Sequence, residues 1–464
     1  MSDSILYLTD SYKITHWKQY PPGAERVYSY FESRGGHFDQ TLFFGLQYLL
    51  KKYLEGPVLK FTDIDAADFF WRAHFGQPDL FHRAGWMRML EKHKGILPVS
   101  IKAVPEGSVV NTRNALLTIE NTDPEFPWLT NILETLLVQV WYPMTVATLS
   151  LEMKKLILLH LGQTGDPAGV DFKLHDFGFR GVSSVDSAGI GGASHLVNFK
   201  GTDTAQGIRF AMKYYNADMC GFSIPASEHS TITSWGKGRE LNAFENMLDQ
   251  YPEGTIACVS DSYDIYQACA NLWGDKLREK VLSRNGVLVI RPDSGDPPAV
   301  VGDILDILGK QFGYTINEKG YKVLPDQVRV IQGDGIDYMM TRAILTTMKL
   351  KNWSADNIGF GMGGALLQRL DRDTQQCAFK CSDITINGEH HPVFKDPVGD
   401  SGKRSKKGRL KLIETTEAHG TVYKTVSEDD GGEDQLVEVF RDGEILKEYS
   451  FDEIRGRAAA SYAG

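Results

Sequence analysis

The apolar pattern changes character near residue 170. Before it, short β-prone runs alternate with stretches at helical spacing. Glu25–Phe31 reads as a strand closed by Arg34-Gly35-Gly36, and Thr41–Leu54 and Asp63–Phe75 read as helices. Pro98–Val104 and Asn114–Ile119 read as strands about the Pro105-Glu106-Gly107 turn, and Pro127–Leu161 as long helices with Pro143 opening the second. This is a mixed α+β pattern without a repeat. After residue 170, β-rich runs recur roughly every thirty residues, the length of a βα unit. They are FKLHDF, HLVNF, MCGFSI, TIACVS, GVLVI, VRVIQ and NIGF, seven between residues 171 and 360. Each leads into a Gly-rich or acidic loop and then a helical pattern, which predicts a parallel sheet.

Polar residues follow these runs in a regular way. Arg180 and Gly181 come after FKLHDF, Gly201 and Asp203 after HLVNF, and Ser227-Glu228-His229 after MCGFSI. Asp261 and Asp264 follow TIACVS, Arg291 and Asp293 follow GVLVI, Gly333-Asp334-Gly335 follows VRVIQ, and NIGF leads into Gly361, Gly363 and Gly364. Parallel α/β folds build their sites at strand carboxyl ends, and an open sheet gathers them at one switch point. Here nearly every strand contributes, which predicts a barrel with one encircled site. No eighth strand is visible, so the expected fold is α/β: an irregular (β/α) barrel over residues 166–372. A smaller mixed α+β domain, built from discontinuous N- and C-terminal segments, is expected over 25–165 with about 373–408 contributing. An aromatic arm (residues 1–24) precedes it. A C-terminal hairpin with Asp442-Gly443 as its turn, and a short helix opened by the Ser450–Glu453 capping box, occupy 409–464.

Composition narrows the function classes. The chain has 464 residues, 42% hydrophobic and 24% charged, as expected of a globular protein of more than one domain. A net charge of −10 argues against general binding to nucleic acid or anionic membranes. There is no basic, apolar leader at the N-terminus and no unbroken run of eighteen or so apolar residues. The five cysteines form no pair of CxxC motifs, which fits free thiols in a reducing cytoplasm.

The stretch Lys173–Thr204 gathers a His-Asp pair, an aromatic, an arginine, glycines and Asp203 into one βα unit, suiting a small-molecule pocket wall. Its Gly189–Gly192 segment reads as a packing turn between rim strands. Gly359-Phe-Gly361-Met-Gly363-Gly364 spells GxGxxG but closes the βα series instead of opening it, which favours a backbone phosphate cradle over a dinucleotide fingerprint or a bare tight loop. Asp264, Asp293 and Asp334 fit helix N-caps singly. Together with Arg291 they fit a ribose or polyphosphate–Mg²⁺ site better. His229 has no second histidine at ligand spacing. The basic run Lys403–Arg409 reads as a solvated loop or an anion-binding one.

The motifs TDSYKITHWKQYPP, YSYFESRGG, KLHDFGFRGVSS, FKGTDT, PASEHSTITSWG, VSDSYDIY, IRPDSGDP, VIQGDGID and FKDPV…KRSKKGRL, in this order along nearly the whole chain, resemble the nicotinamide phosphoribosyltransferases, type II phosphoribosyltransferases. The resemblance implies a cytoplasmic homodimer with sites at the subunit interface. It would make nicotinamide mononucleotide and pyrophosphate from nicotinamide and 5-phosphoribosyl 1-pyrophosphate in NAD salvage, with Mg²⁺ and with ATP as a stimulating co-substrate. It also implies that Phe177 stacks on the pyridine ring and that Tyr12 of the second subunit covers its other face. Asp203 accepts from the carboxamide NH₂, Arg291 donates to its oxygen, and Arg180 frames the pocket. Asp293, Gly333 and Asp334 would contact ribose, Gly363 and Gly364 the 5′-phosphate, and Arg34, Arg372, Lys380, Lys395 and Lys403 the phosphates. His229 would be the residue phosphorylated by ATP, with Asp264 beside it; His229, Asp264 and Asp293 form the catalytic group, and Asp264 and Asp293 are the metal candidates. Ala378 stands where the family often has a phosphate-binding serine. The alternatives are a nicotinate phosphoribosyltransferase, disfavoured by the charge of Asp203, and a dinucleotide-binding protein without enzymatic activity.

Overall fold

A computed structural model describes residues 4–396, 405–417 and 420–462. The chain divides into two compact units. One comprises Met1–Thr148, Lys213–Ala217 and Asp371–Gly464, the other Leu149–Met212 and Asp218–Leu370.

The first unit is built on a seven-stranded antiparallel sheet. Its order is Glu389–Pro392, Cys377–Ile386, Ala24–Ser33, Ala115–Asn121, Val99–Ala103, Val437–Arg441 and Glu444–Ile445. The C-terminal hairpin thus extends the sheet begun near the N-terminus. Asp442 and Gly443 both take positive φ (46° and 83°), as a tight two-residue turn requires. The Ser450–Glu453 capping box opens the last helix, Phe451–Ala460. The expected helix over Thr41–Leu54 is shorter: Gln40–Leu42 is a strand, and helical structure runs from Leu46 to Leu54. Gly45, at φ 106°, breaks the run, and a Cβ there would lie 2.3 Å from Pro143. Glu106, from the Pro105-Glu106-Gly107 turn, caps that helix by accepting from Gly45 N (2.8 Å) and Gln47 N (2.6 Å). The N-terminal arm is not irregular but forms 3₁₀ turns at Ile5–Tyr7 and Ser11–Lys18, docked by Trp17 stacking on His82 at 3.9 Å.

The helical run Leu129–Thr164 is long and apolar enough to cross a membrane by length and composition, which the sequence reading had not anticipated; 61% of that stretch's most apolar window is buried inside the protein. Pro143 lies in the first turn of its second helix, Trp141–Thr164, where its missing N–H costs nothing.

The second unit is a parallel barrel. Six strands lie in the order Gly201–Thr202, Leu174–Asp176, Ile358–Met362, Val328–Gln332, Asn285–Arg291 and Glu253–Val259, each parallel to its neighbour. The seventh run, MCGFSI, joins the two edges through single parallel bridges, Phe222 to Gly201 and Ala226 to Ala257. Four backbone hydrogen bonds pin it: Phe222 N to Lys200 O, Thr202 N to Phe222 O, Ala257 N to Pro225 O and Ser227 N to Ala257 O, all 2.8–3.0 Å. It cannot be a regular strand because Pro225 has no N–H to give the ladder.

Two other readings are corrected. HLVNF is not a strand: the helix Val185–Leu196 runs into it, and the strand is Gly201–Thr202. Gly189–Gly192 is likewise not a turn but lies inside that helix, which Ser184 caps by accepting from Ser187 N at 3.0 Å. The glycines are there for close packing. A Cβ on Gly207, in the helix Ala205–Tyr215, would lie 2.6 Å from the carbonyl carbon of Gly192. That predicts an asymmetry between two helical glycines. Gly207→Ala should lower the unfolding free energy by about 1–3 kcal/mol, because two backbones must part. Gly162→Ala, with nothing within 4 Å of the added methyl, should be neutral or stabilising by up to about 1 kcal/mol. Denaturant titration of both variants checks this; equal effects would contradict it.

Candidate active site

Strand carboxyl ends converge on a cavity of about 450 Å³ in the barrel unit, whose wall includes Phe177, Arg180, Asp203, Ser223, Glu228 and Arg291. Each is placed by the residues just before it. Strand Leu174–Asp176 ends in Asp176, a buried carboxylate that accepts from Gly178 N at 2.7 Å and so holds the turn carrying Phe177. Burial pushes the Asp176 carboxyl up to about 6. Phe177 N donates to Met362 O at 3.0 Å. The ring lies over two glycines: a Cβ at Gly361 would be 1.9 Å from Phe177 Cε2, and one at Gly333 would be 3.4 Å from the same atom. Gly359 and Gly361 therefore sit inside the strand Ile358–Met362, where the second clears space for a ring.

Across the cavity, Asp203 follows strand Gly201–Thr202, its N–H donating to Asp176 O at 2.9 Å and its carboxylate accepting from the Ser223 hydroxyl. Arg291 ends strand Asn285–Arg291 and reaches Asp293 Oδ2 at 3.3 Å. Its Nε is buried with no hydrogen-bond partner among the described residues, an N–H donor awaiting an acceptor. The lining thus brings together an aromatic ring, a carboxylate held by Ser223 and a guanidinium.

His229 begins the short helix His229–Thr233, directly after the barrel-closing segment. Its Nε2 lies 2.9 Å from Asp261 Oδ1 and its Nδ1 3.9 Å from Asp293 Oδ2. The other Asp261 oxygen accepts from Ser294 Oγ at 2.6 Å. This corrects the pairing of His229 with Asp264. Asp264 caps the next helix instead, accepting from the N–H groups of Tyr266 and Gln267 at 3.0 Å each. Asp261 is the first acid beyond strand Glu253–Val259, and the rule that rim groups follow strands immediately would have favoured it. Ser223 and Ser294 were missed too: they lie within MCGFSI and IRPDSGDP, but a serine inside such a run carries no signal of its own. Gly333 and Asp334 follow strand Val328–Gln332, and Gln332 Nε2 donates to Asp334 O at 3.0 Å. Gly363 and Gly364 begin the four-residue helix Gly364–Leu367. Gly364 packs on the turn bearing Arg180: a Cβ at Gly181 would be 3.2 Å from the Gly364 Cα.

The first unit holds a separate cavity of about 500 Å³. Its wall includes Arg34, Arg372, Lys380, Lys395, Tyr12 and Ala378. Antiparallel pairing of Ala24–Ser33 with Cys377–Ile386 places Tyr30 opposite Lys380 and brings residues more than 300 positions apart to one pocket. Burial first, and then the Arg34, Arg372 and Lys395 cations, push the Lys380 ammonium below its ordinary value. Arg34 Nε is held by Glu32 at 2.9 Å. Tyr12 is 60% exposed. Lys403 lies outside the described residues.

Asp293 is raised above the usual carboxylate range. Burial is the main cause and prevails over the lowering pull of Arg291 and His229, while the Asp261 and Asp334 carboxylates add to the rise. A carboxyl raised on folding destabilises the folded state at pH above its folded pKa, and the penalty vanishes once pH falls below its unfolded value. Asp293→Asn should therefore raise the melting temperature near neutral pH, with the gain disappearing below about pH 4, where the wild-type carboxyl is itself neutral. Thermal melts across that range check it; a lowered melting temperature at neutral pH would contradict it.

Comparison with known proteins gives the family. The model of the nicotinate phosphoribosyltransferase (NAPRTase) family matches residues 172–444, and that of the nicotinamide phosphoribosyltransferase N-terminal domain matches residues 4–101. A Xanthomonas campestris pv. campestris (strain 8004) protein named nicotinamide phosphoribosyltransferase is 50% identical over 467 residues, covering 99% of each chain. One of the same name from Acinetobacter baylyi is 34% identical, covering 97% of this chain and 96% of its own. Among solved structures, the nicotinate-nucleotide pyrophosphorylase of Pyrococcus furiosus shares the fold with a TM-score of 0.61 at 17% identity, over 99% of this chain and 96% of that one. The chain belongs to the nicotinate phosphoribosyltransferase family and carries the N-terminal domain of its nicotinamide phosphoribosyltransferase members.

Proposed function

We propose that the protein transfers a phosphoribosyl group from 5-phosphoribosyl 1-pyrophosphate to nicotinamide, giving nicotinamide mononucleotide and pyrophosphate. The observation that carries this reading is the pairing of Asp203 with Arg291 around the Phe177 ring, in one cavity. A planar pyridine suits the aromatic face. Its carboxamide has one donor and one acceptor end, which the Asp203 carboxylate and the Arg291 guanidinium in the lining complement. The carboxylate of nicotinate would instead meet the Asp203 carboxylate, a like-charge contact.

The chemistry asks little of a base. The nucleophile, pyridine N1, is a neutral lone pair carrying no proton. Its attack forms the N1–C1′ bond as the bond from C1′ to the pyrophosphate oxygen breaks, with positive charge building on the ribose. Asp293 and Asp334, at neighbouring strand ends, are suited to hold the ribose hydroxyls and to face that charge. Gly363 and Gly364 supply backbone for the 5′-phosphate. Arg34, Arg372, Lys380 and Lys395 supply cations for phosphate groups, with Ala378 lacking the hydroxyl common in the family.

Among the described residues no three histidine, cysteine or acidic groups form a metal cage, which fits Mg²⁺ held by one or two carboxylates together with substrate phosphates. Asp293, a partly buried rim carboxylate, is the one suited to that ion; Asp264, occupied as a helix cap, is not. When bound, Mg²⁺ would neutralise the leaving pyrophosphate. With Nε2–H donated to Asp261, His229 keeps its lone pair on Nδ1. Attack of that nitrogen on the γ-phosphorus of ATP forms an N–P bond, breaks a P–O bond and releases ADP. In the homodimer this reading invokes, the exposed Tyr12 of a second copy covers the open face of the pyridine. Five cysteines, four of them buried, support a cytoplasmic setting. The dinucleotide-binding alternative loses support because the first glycines of its motif lie within a strand, not at the turn into a helix.

A product assay with each pyridine, with and without ATP, tests the reading. Nicotinamide should be converted and nicotinate disfavoured by about 10⁴-fold. His229→Ala should keep ATP-independent synthesis and lose the acceleration by ATP. Comparable use of both pyridines would overturn the base assignment, and undiminished ATP acceleration in the variant would overturn the role of His229.

A further inference from the structure

Asp203 is fixed by two elements of the barrel. Its backbone N–H is held by Asp176 O, from the strand beside its own, while its carboxylate accepts from Ser223 on the segment that closes the barrel. That segment is tied on both sides of Ser223, at Phe222 to Lys200 and Thr202 and at Pro225 to Ala257. Between those ties lies the backbone that a regular strand would have paired. Its departure from the ladder delivers a hydroxyl to the base pocket, and Ser223 itself lines the cavity with Asp203, Phe177 and Arg291.

The direction of this hydrogen bond matters. An ionised carboxylate only accepts, so the serine O–H must donate. The donation fixes rotation of the carboxylate, commits Oδ1 to the protein, and leaves Oδ2 as the oxygen open to a ligand N–H. The carboxylate held there would meet a second carboxylate in the pocket as a like charge. A freely rotating carboxylate would meet an incoming carboxamide in several orientations and would lose order on binding.

We propose that Ser223 is a positioning residue for base selection, holding Asp203 in the orientation that accepts the carboxamide N–H and so setting the preference for amide over acid. The proposal rests on the reading of the cavity as the nicotinamide site.

Steady-state kinetics of Ser223→Ala and Ser223→Thr test it, with nicotinamide and nicotinate as competing pyridines. In Ser223→Ala the KM for nicotinamide should rise and the nicotinamide-to-nicotinate ratio of kcat/KM should fall, each by about tenfold, as expected for loss of a hydrogen bond to a charged group. The KM for the phosphoribosyl donor and the melting temperature should stay at wild-type values. Ser223→Thr, which keeps the hydroxyl, should restore the ratio to within about threefold. An unchanged ratio in Ser223→Ala, or equal losses with both pyridines alongside a lower melting temperature, would overturn the proposal and leave the cavity assignment standing. A wild type that uses neither pyridine, or both equally, would overturn the cavity assignment and this proposal with it.

Discussion

The ring of Phe177 occupies the space that any side chain at position 361 would need. With only 1.9 Å between the ring and an added Cβ, glycine is the one residue there that leaves the ring in place. Much of the site is arranged around this contact. Gly333, just after the next strand, lies against the same ring edge, and Asp176 fixes the turn that carries it. The ring in turn defines the floor against which Asp203 and Arg291 read a ligand. A glycine at 361, which would weaken an ordinary strand, is tolerated because the ring fills the volume its side chain would have taken.

A second constraint is closure. Six regular strands and one irregular segment make the ring, and the irregular member is not a defect at an indifferent place. It carries Ser223 to Asp203 and ends at His229, so the region with the weakest ladder delivers two groups to the rim. Pro225 denies that stretch a continuous ladder, and the four surviving backbone bonds place it all the same. Electrostatics at the rim follow a similar logic. Burial drives Asp293 upward despite Arg291, a cost in stability to which its neighbours Asp261 and Asp334 add and which a bound cation would relieve.

Much of this was legible in the sequence, for a physical reason. In a parallel barrel, chain direction is fixed, so residues that follow an apolar run fall on the same rim. That logic placed Arg180, Asp203, His229, Arg291, Asp293, Asp334 and Gly363 before any coordinates, while Phe177, the last residue of its own run, was singled out by the family resemblance. It failed where apolar runs were ambiguous. HLVNF has the composition of a strand, but its register belongs to a helix whose glycines serve close packing against Gly207. It also failed between Asp261 and Asp264, two acids on one loop, because N-capping is decided by backbone geometry that composition does not carry. The pocket of Arg34, Arg372, Lys380 and Lys395 depends on antiparallel pairing between distant segments, which spacing cannot show; only the family resemblance pointed to it.

The central claim is that the face of Phe177, kept in place by Gly361, is the surface on which the pyridine ring binds. Calorimetric titration of nicotinamide into Gly361→Ala tests it directly. The added methyl should push the ring out of the cavity wall and weaken nicotinamide binding by at least about tenfold, with the melting temperature close to that of the wild type because only the end of one side chain must move. Wild-type affinity for nicotinamide in a folded Gly361→Ala variant would contradict the account.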